Sequence, residues 1–266
     1  MRGAPFRPPF ALVWAAVLSI NAACELTVKT SDLEGGCPRQ LPGPSLVKVD
    51  SPSGAYCVDS TEVSNAHYQA FVDAHGPDAV ADIRLPGCGG VTSLKPDVMG
   101  WPVDGLQNLP VGRANWCQAA AYCQWAGKRL CGKIGGGTLA DTFKNDTTVA
   151  QWFNACSRGN TRVFPYGNDY DPSLCIGPTD AGPGKPYFVG ARRGCEGGYP
   201  GLFDMSGNLW EWTDNCDDPN GANNNCRACG GAFDSAPPTE FQCSQCRPWG
   251  RTAFATDIGF RCCKDL

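Results

Sequence analysis

The sequence predicts an irregular, loop-rich α+β domain held together by disulfides. Three observations lead there: 33 glycines and 22 prolines in 266 residues, only three clear helix patterns, and a few short strand patterns between turns. Gly and Pro interrupt regular elements, so long helices are not expected. A core is still affordable, with 42% hydrophobic residues including eight Trp and twelve Phe. Short helices packed on small sheets are the layer arrangement this pattern supports. No linker, repeat or low-complexity tract divides the chain after Cys37, so 37–266 reads as one domain.

Seventeen cysteines are too many for a reducing cytosol. The N-terminus agrees. "MRGAPFRPPFALVWAAVLSINAAC" carries Arg2 and Arg7, an apolar run from Phe10 to Ile20, and then small residues. That run is too short to span a bilayer and reads as a secretory signal over 1–23. Ala22, Ala23 and Cys24 resemble a lipobox, with Asn21 departing at its first position. Removing Cys24 as the acylated residue leaves an even number of cysteines for pairing. The bland alternative is ordinary cleavage after Ala23. Residues 24–36 then form a short polar tether. The formal net charge is −4 and only 18% of residues are charged, so no nucleic-acid partner is expected. Membrane contact is expected only through the lipid anchor, at a bacterial cell envelope (outer membrane or periplasm).

The first helix pattern is "SNAHYQAFVDAHG", with Ser64 or Asn65 as cap, Tyr68, Phe71 and Val72 on one face, and a stop at Gly76. In "NWCQAAAYCQWAGKRL", Asn115 and Gln118 have the spacing of a capping box, and Gly127 follows the last turn. Trp116, Ala120, Cys123 and Trp125 are placed on its inner side. "TVAQWFNACSRG" gives a shorter third helix closing at Gly159. "AYCVDSTEV", "GGAF" and "IGFRCC" read as short strands. Cys262 and Cys263 are neighbours in the last of these, so they face opposite sides and need different partners. Nearness in sequence pairs Cys37 with Cys57, Cys175 with Cys195 and Cys216 with Cys226. Cys88, Cys117, Cys131 and Cys263 stay unassigned.

"GLFDMSGNLWEWT" (201–213) is the most specific stretch. Together with "VDSTEVSNAHYQAFV", "AAYCQWAGKRL", "FPYGN", "CGGAF" and "IGFRC", it resembles the formylglycine-generating enzyme, or sulfatase-modifying factor, family. The resemblance runs in order from about Cys37 to the C-terminus. It implies a C-type-lectin-like fold and, in active members, a copper-dependent oxidase that converts a sulfatase cysteine to formylglycine. It also implies the disulfides Cys123–Cys262 and Cys156–Cys243. The C-x-x-C of Cys243 and Cys246 is then two structural staples, with Cys229 the nearest partner left for Cys246.

Active members hold copper on two cysteines after the "GGS" strand, and thiolates suit Cu(I). The matching segment here, "AFDSAPPTEF", has Ser235 and Glu240 near those positions and no cysteine. Copper is therefore not expected. The family's calcium-binding "GN-x-WEW" matches Asn208 and Glu211, and hard oxygen ligands of this kind suit Ca²⁺. The alternative is that both residues only brace a tight turn. A second family calcium site, after "FPYGN", is poorly matched because Cys175 replaces an Asn.

Other chemistries find little support. His67 and His75 are the only histidines; they sit in one helix, about 80° apart around its axis, and read as surface residues. "DNCDD" (214–218) reads as an acidic turn, and "GKIGGG" (132–137) lacks the end of a phosphate loop. The reading is an exported, lipid-anchored domain of this family that binds an envelope protein or small ligand, with Trp101, Trp249 and Tyr199 candidates to line the cleft. The rival is an oxidoreductase with a displaced pair, Cys229 and Cys246. Counting free thiols separates them.

Overall fold

The Ser64 hydroxyl accepts the amide of His67 and the His67 ring accepts the amide of Ser64, which closes a capping box. The helix it opens, α1 (Asn65–His75), ends at Gly76 and buries Tyr68, Phe71 and Val72. α2 (Trp116–Trp125) begins the same way, with reciprocal 2.9 Å bonds between Asn115 and Gln118. Gly127 follows it with φ 69°, a conformation that costs glycine little. The inner stripe expected for α2 proves too narrow: every residue from Trp116 to Cys123 is buried, because the helix is covered on all sides. α3 (Gln151–Ser157) starts later than its pattern indicates. The Asp146 carboxylate bonds the amide and hydroxyl of Thr148, holding that stretch as a turn. The helix closes at Arg158 and Gly159, both at positive φ.

In this computed structural model, residues 1, 33–34, 36–78, 85–102, 104–178, 185–221 and 223–266 are described. The signal segment after Met1, Cys24 and most of the tether lie outside them. β1 (Leu33–Glu34) pairs with β2 (Cys37–Pro38). An antiparallel sheet has the order β3 (Leu46–Val49), β4 (Tyr56–Asp59), β10 (Cys262–Asp265), β5 (Arg129–Leu130). A second sheet runs β8 (Cys246–Gly250), β7 (Asn225–Cys229), β6 (Trp210–Cys216), β9 (Ile258–Phe260), with β6 and β9 parallel. The strand expected at "GGAF" is absent. Gly230 and Gly231 take φ of 101° and 77°, which turns the chain out of the sheet after β7.

Two large apolar clusters form most of the interior, beside a small third one of Ile176, Leu209 and Phe233. One joins α1 and α2 to β6 and β9, with the Tyr68 and Tyr122 rings stacked at 5.6 Å and Phe260 edge-on to Tyr122 at 5.4 Å. Such ring pairs add about 0.5–1.5 kcal/mol beyond their area. The other packs α3 against β3 and β4. Trp101 and Trp249 lie against the first cluster and Tyr199 against the second, so these aromatics belong to the edges of the core.

All sixteen described cysteines are bonded in eight disulfides. Cys262 of β10 reaches back to Cys123 of α2, while Cys263, on the opposite face, bonds Cys131. Cys156 of α3 bonds Cys243, and Cys229 bonds Cys246. Cys37–Cys57, Cys175–Cys195 and Cys216–Cys226 close short loops, and Cys88–Cys117 ties an irregular stretch to α2.

Candidate functional site

After β7 the chain reverses within a confined space. A side chain at Gly230 would stand 2.9 Å from the Met205 carbonyl oxygen, and one at Gly231 3.0 Å from that of Glu240. Ser235 is buried and closes this reversal: its Oγ accepts the Ala232 amide at 2.9 Å, and its own amide bonds the Ala232 carbonyl at 3.0 Å. Glu240 lies on a single 3₁₀ turn (Pro238–Phe241) and is ion-paired with Arg247 of β8. The Arg247 guanidinium stands 5.0 Å from the centroid of the buried Trp210 ring. Thus Ser235 and Glu240 are both engaged, one in a turn and the other in a charge pair over an aromatic face. The flanking disulfides, Cys156–Cys243 and Cys229–Cys246, fix both ends of the segment. Arg247 was not legible as a site residue, because nothing in its local pattern indicates that it returns over β6.

Asn208 and Glu211 are buried but face different partners. Asn208, at φ 59°, accepts the Tyr187 amide on Oδ1 at 2.8 Å. The Glu211 carboxylate receives Arg261 Nε at 2.7 Å and Nη2 at 2.6 Å, and Trp152 Nε1 at 2.7 Å. Arg261 is itself buried and also donates to the carbonyls of Asp59 and Phe203. A fork-shaped guanidinium satisfies a carboxylate in the way a metal ion would. The Glu211 oxygens that a calcium site at Asn208 and Glu211 would use are engaged by Arg261 and Trp152. Among the described residues no group of three or more His, Cys, Asp or Glu side chains is placed to hold a metal.

Two further carboxylates share this interior. Burial raises Glu62 well above the usual carboxylate range, and the charges of Asp204 and Glu211 add to the effect. Burial also pushes Asp204 up to about 6, against the amide of Gly190, which it accepts at 2.5 Å. Three buried carboxylates around one guanidinium cannot all ionise cheaply. Beside them, Asp59 and Lys128 form a wholly buried pair at 2.5 Å, and Asp59 also accepts the Cys262 amide. The two histidines are engaged within their own helix: His67 serves the α1 cap and His75 faces the Phe71 carbonyl.

A groove of about 640 Å³ opens elsewhere among the described residues. One wall is the irregular segment 90–99, the other is Thr252 and Phe254, and Asn115 and Gln118 of the α2 cap form the floor. Gln118 Nε2 donates to the carbonyls of Ser93 and Lys95 at 2.8 and 2.7 Å. Tyr68 holds the Leu94 carbonyl at 2.8 Å, and Arg113 pairs with Asp97 at 3.1 Å. At the near end, Arg251 donates to the Pro86 carbonyl at 2.8 Å and stacks 4.5 Å from the Trp116 ring. With the Cys88–Cys117 bond, these contacts fix a wall that has no regular secondary structure.

A profile of the sulfatase-modifying factor enzyme 1-like domain matches residues 48–266. The chain belongs to this family. Formylglycine-generating enzyme of Mus musculus is 33% identical over 120 residues, 40% of this chain and 27% of that protein. The inactive C-alpha-formylglycine-generating enzyme 2 of the same animal is 32% identical over 117 residues, 40% of this chain and 32% of that protein. The chain thus matches about a third or less of the length of these curated relatives, and resembles an active and an inactive one to the same degree. CarF shares the fold, with a TM-score of 0.59 over 85% of this chain and all of its own, at 16% identity. The α+β, loop-rich, disulfide-rich fold class of the sulfatase-modifying-factor family is accordingly the one found.

Proposed function

We propose that this sulfatase-modifying-factor domain binds a partner rather than oxidising a cysteine, and that it does so as an exported domain anchored through Cys24 at the cell envelope. The observation that carries the reading is the use of Ser235 and Glu240. Near the positions where active relatives carry copper-binding thiolates, one side chain closes a turn and the other pairs with Arg247 over Trp210. Neither a hydroxyl nor a paired carboxylate is a ligand for Cu(I), which prefers thiolate. Fold alone does not carry activity, so the family's chemistry needs its ligands and not only its scaffold.

The rival reading makes this an oxidoreductase of the same family with Cys229 and Cys246 as a displaced pair. These two are bonded to each other, which argues for a staple between β7 and the start of β8. Export is favoured by the eight disulfides, a density found in oxidising compartments. Equilibrium dialysis against Cu(I) tests the reading. The native protein is expected to retain none above background. Stoichiometric retention, lost in Cys246→Ser, favours the displaced-pair enzyme.

A further inference from the structure

The groove between 90–99 and Thr252–Phe254 shares no lining residue with the Ser235, Glu240, Arg247 and Trp210 group. Its volume falls within the range of ligand sites, roughly 300–1,000 Å³. Three features of its walls converge on one occupant. The first is main chain. Among the described residues, the N–H and C=O groups of Gly90 and Thr92 make no hydrogen bond, although both residues line the groove. Unpaired main-chain groups on a fixed edge are what an extended peptide pairs with.

The second feature is charge. Lys95 and Asp97 both line the groove, but Asp97 is neutralised by Arg113 while Lys95 forms no ion pair among the described residues. The groove therefore presents one uncompensated positive charge on a chain whose net charge is −4. The third feature is apolar surface. Met99 is fully exposed and Phe254 is 45% exposed, both on this groove, with Val91 and Val98 beside them. A flexible thioether and a ring together make an adaptable seat for an apolar side chain.

We infer that this groove binds an extended segment of a partner protein, one that carries an acidic residue for Lys95 and an apolar residue for Met99 and Phe254. The inference rests on the binding-module reading and supplies its ligand class. Segment 90–99 is held before the ligand arrives, by Gln118, Tyr68 and the Cys88–Cys117 bond. Pre-organisation of this kind limits the ordering cost of binding. The main-chain groups give affinity without sequence preference, and Lys95 with the apolar seat selects the partner.

Gly90 allows a test that leaves the fold intact. Its φ is not in the left-handed region and no atom lies within 4 Å of where its side chain would start. A Gly90→Trp substitution therefore brings a large ring to the groove lining with no clash at its Cβ. The full chain is exposed to a library of capped peptides of about seven residues that pairs Asp or Glu with Leu or Phe a few positions on. A second library carries Lys in place of the acid, and bound peptides are counted by mass spectrometry. The native protein is expected to enrich the acidic library by about tenfold, Lys95→Glu to reverse that preference, and Gly90→Trp to abolish both with an unchanged melting temperature. No enrichment by the native protein, or enrichment untouched by Gly90→Trp, overturns the inference. Those results leave a non-oxidising protein in place, whereas copper retention in the dialysis experiment removes the underlying reading.

Discussion

The Arg247 guanidinium of β8 lies 5.0 Å from the Trp210 ring of β6, and Glu240 closes on it from the neighbouring 3₁₀ turn. This arrangement fills the region in which a copper site would be sought with a charge pair on an aromatic face. Arg247 is about half exposed, its side chain 48% accessible, so solvent screens the pair. Arg247→Ala is expected to cost about 1 kcal/mol or less, from the lost stacking and a screened ion pair. Denaturant unfolding measures this, and a loss of several kcal/mol contradicts the view that the pair is peripheral to stability.

Arg261 and Glu211 are different, because both are buried. Glu211→Gln keeps the shape but leaves the guanidinium uncompensated, and breaking one partner of a buried pair costs roughly 3–5 kcal/mol. The loss should be the same in millimolar calcium and in chelator, since the carboxylate already serves Arg261 and Trp152. A melting temperature that rises with calcium in the native protein and not in Glu211→Gln contradicts this assignment.

Asp204 binds its proton more tightly in the fold, at about 6, than in the unfolded chain, where an aspartate titrates at about 3.9. Folding therefore takes up a proton between these values, so stability falls as pH rises from about 4 through about 6. The contribution is on the order of 2–3 kcal/mol. Asp204→Asn imitates the protonated form and can still accept the Gly190 amide, so its stability should be flatter across that window. Unfolding free energies at pH 4.5 and 7.5 check this. An equal pH slope in both proteins contradicts it.

Cys123–Cys262 and Cys131–Cys263 span 139 and 132 residues and hold adjacent positions of β10 to α2 and to the residue after β5. Loop-closure arguments give each roughly 4–5 kcal/mol, before any strain is subtracted. Replacing Cys131 and Cys263 together by Ala should lower the melting temperature markedly while leaving the other pairs intact in non-reduced peptide maps. Unchanged stability contradicts the stabilising role.

The sequence makes legible those features that are local. The caps of α1 and α2 rest on spacings of three residues, and the opposed directions of Cys262 and Cys263 follow from strand alternation alone. α3 starts later than its pattern indicates because the Asp146 side chain competes with the helix for Thr148. "GGAF" has the apolar pattern of a strand, but Ala232 and Phe233 are buried by a tight reversal at two glycines. What lay beyond reach depends on contacts distant in sequence: Arg261 on Glu211, Arg247 on Trp210, and Gln118 on the carbonyls of Ser93 and Lys95. Arg261 stands between the buried Phe260 and Cys262, and that apolar setting is the one local sign that its charge needs a buried partner. The groove wall at 90–99 has no periodicity, so nothing in its pattern marked it as fixed.

The central claim is that the Ser235–Glu240 segment supports no copper-dependent oxidation. Its most direct test is incubation of the purified, copper-loaded protein with a C-x-P-x-R peptide under air, followed by mass spectrometry of the peptide. The account predicts that the cysteine is recovered unchanged. Conversion of its thiol to the aldehyde, above a copper-only control, would contradict it.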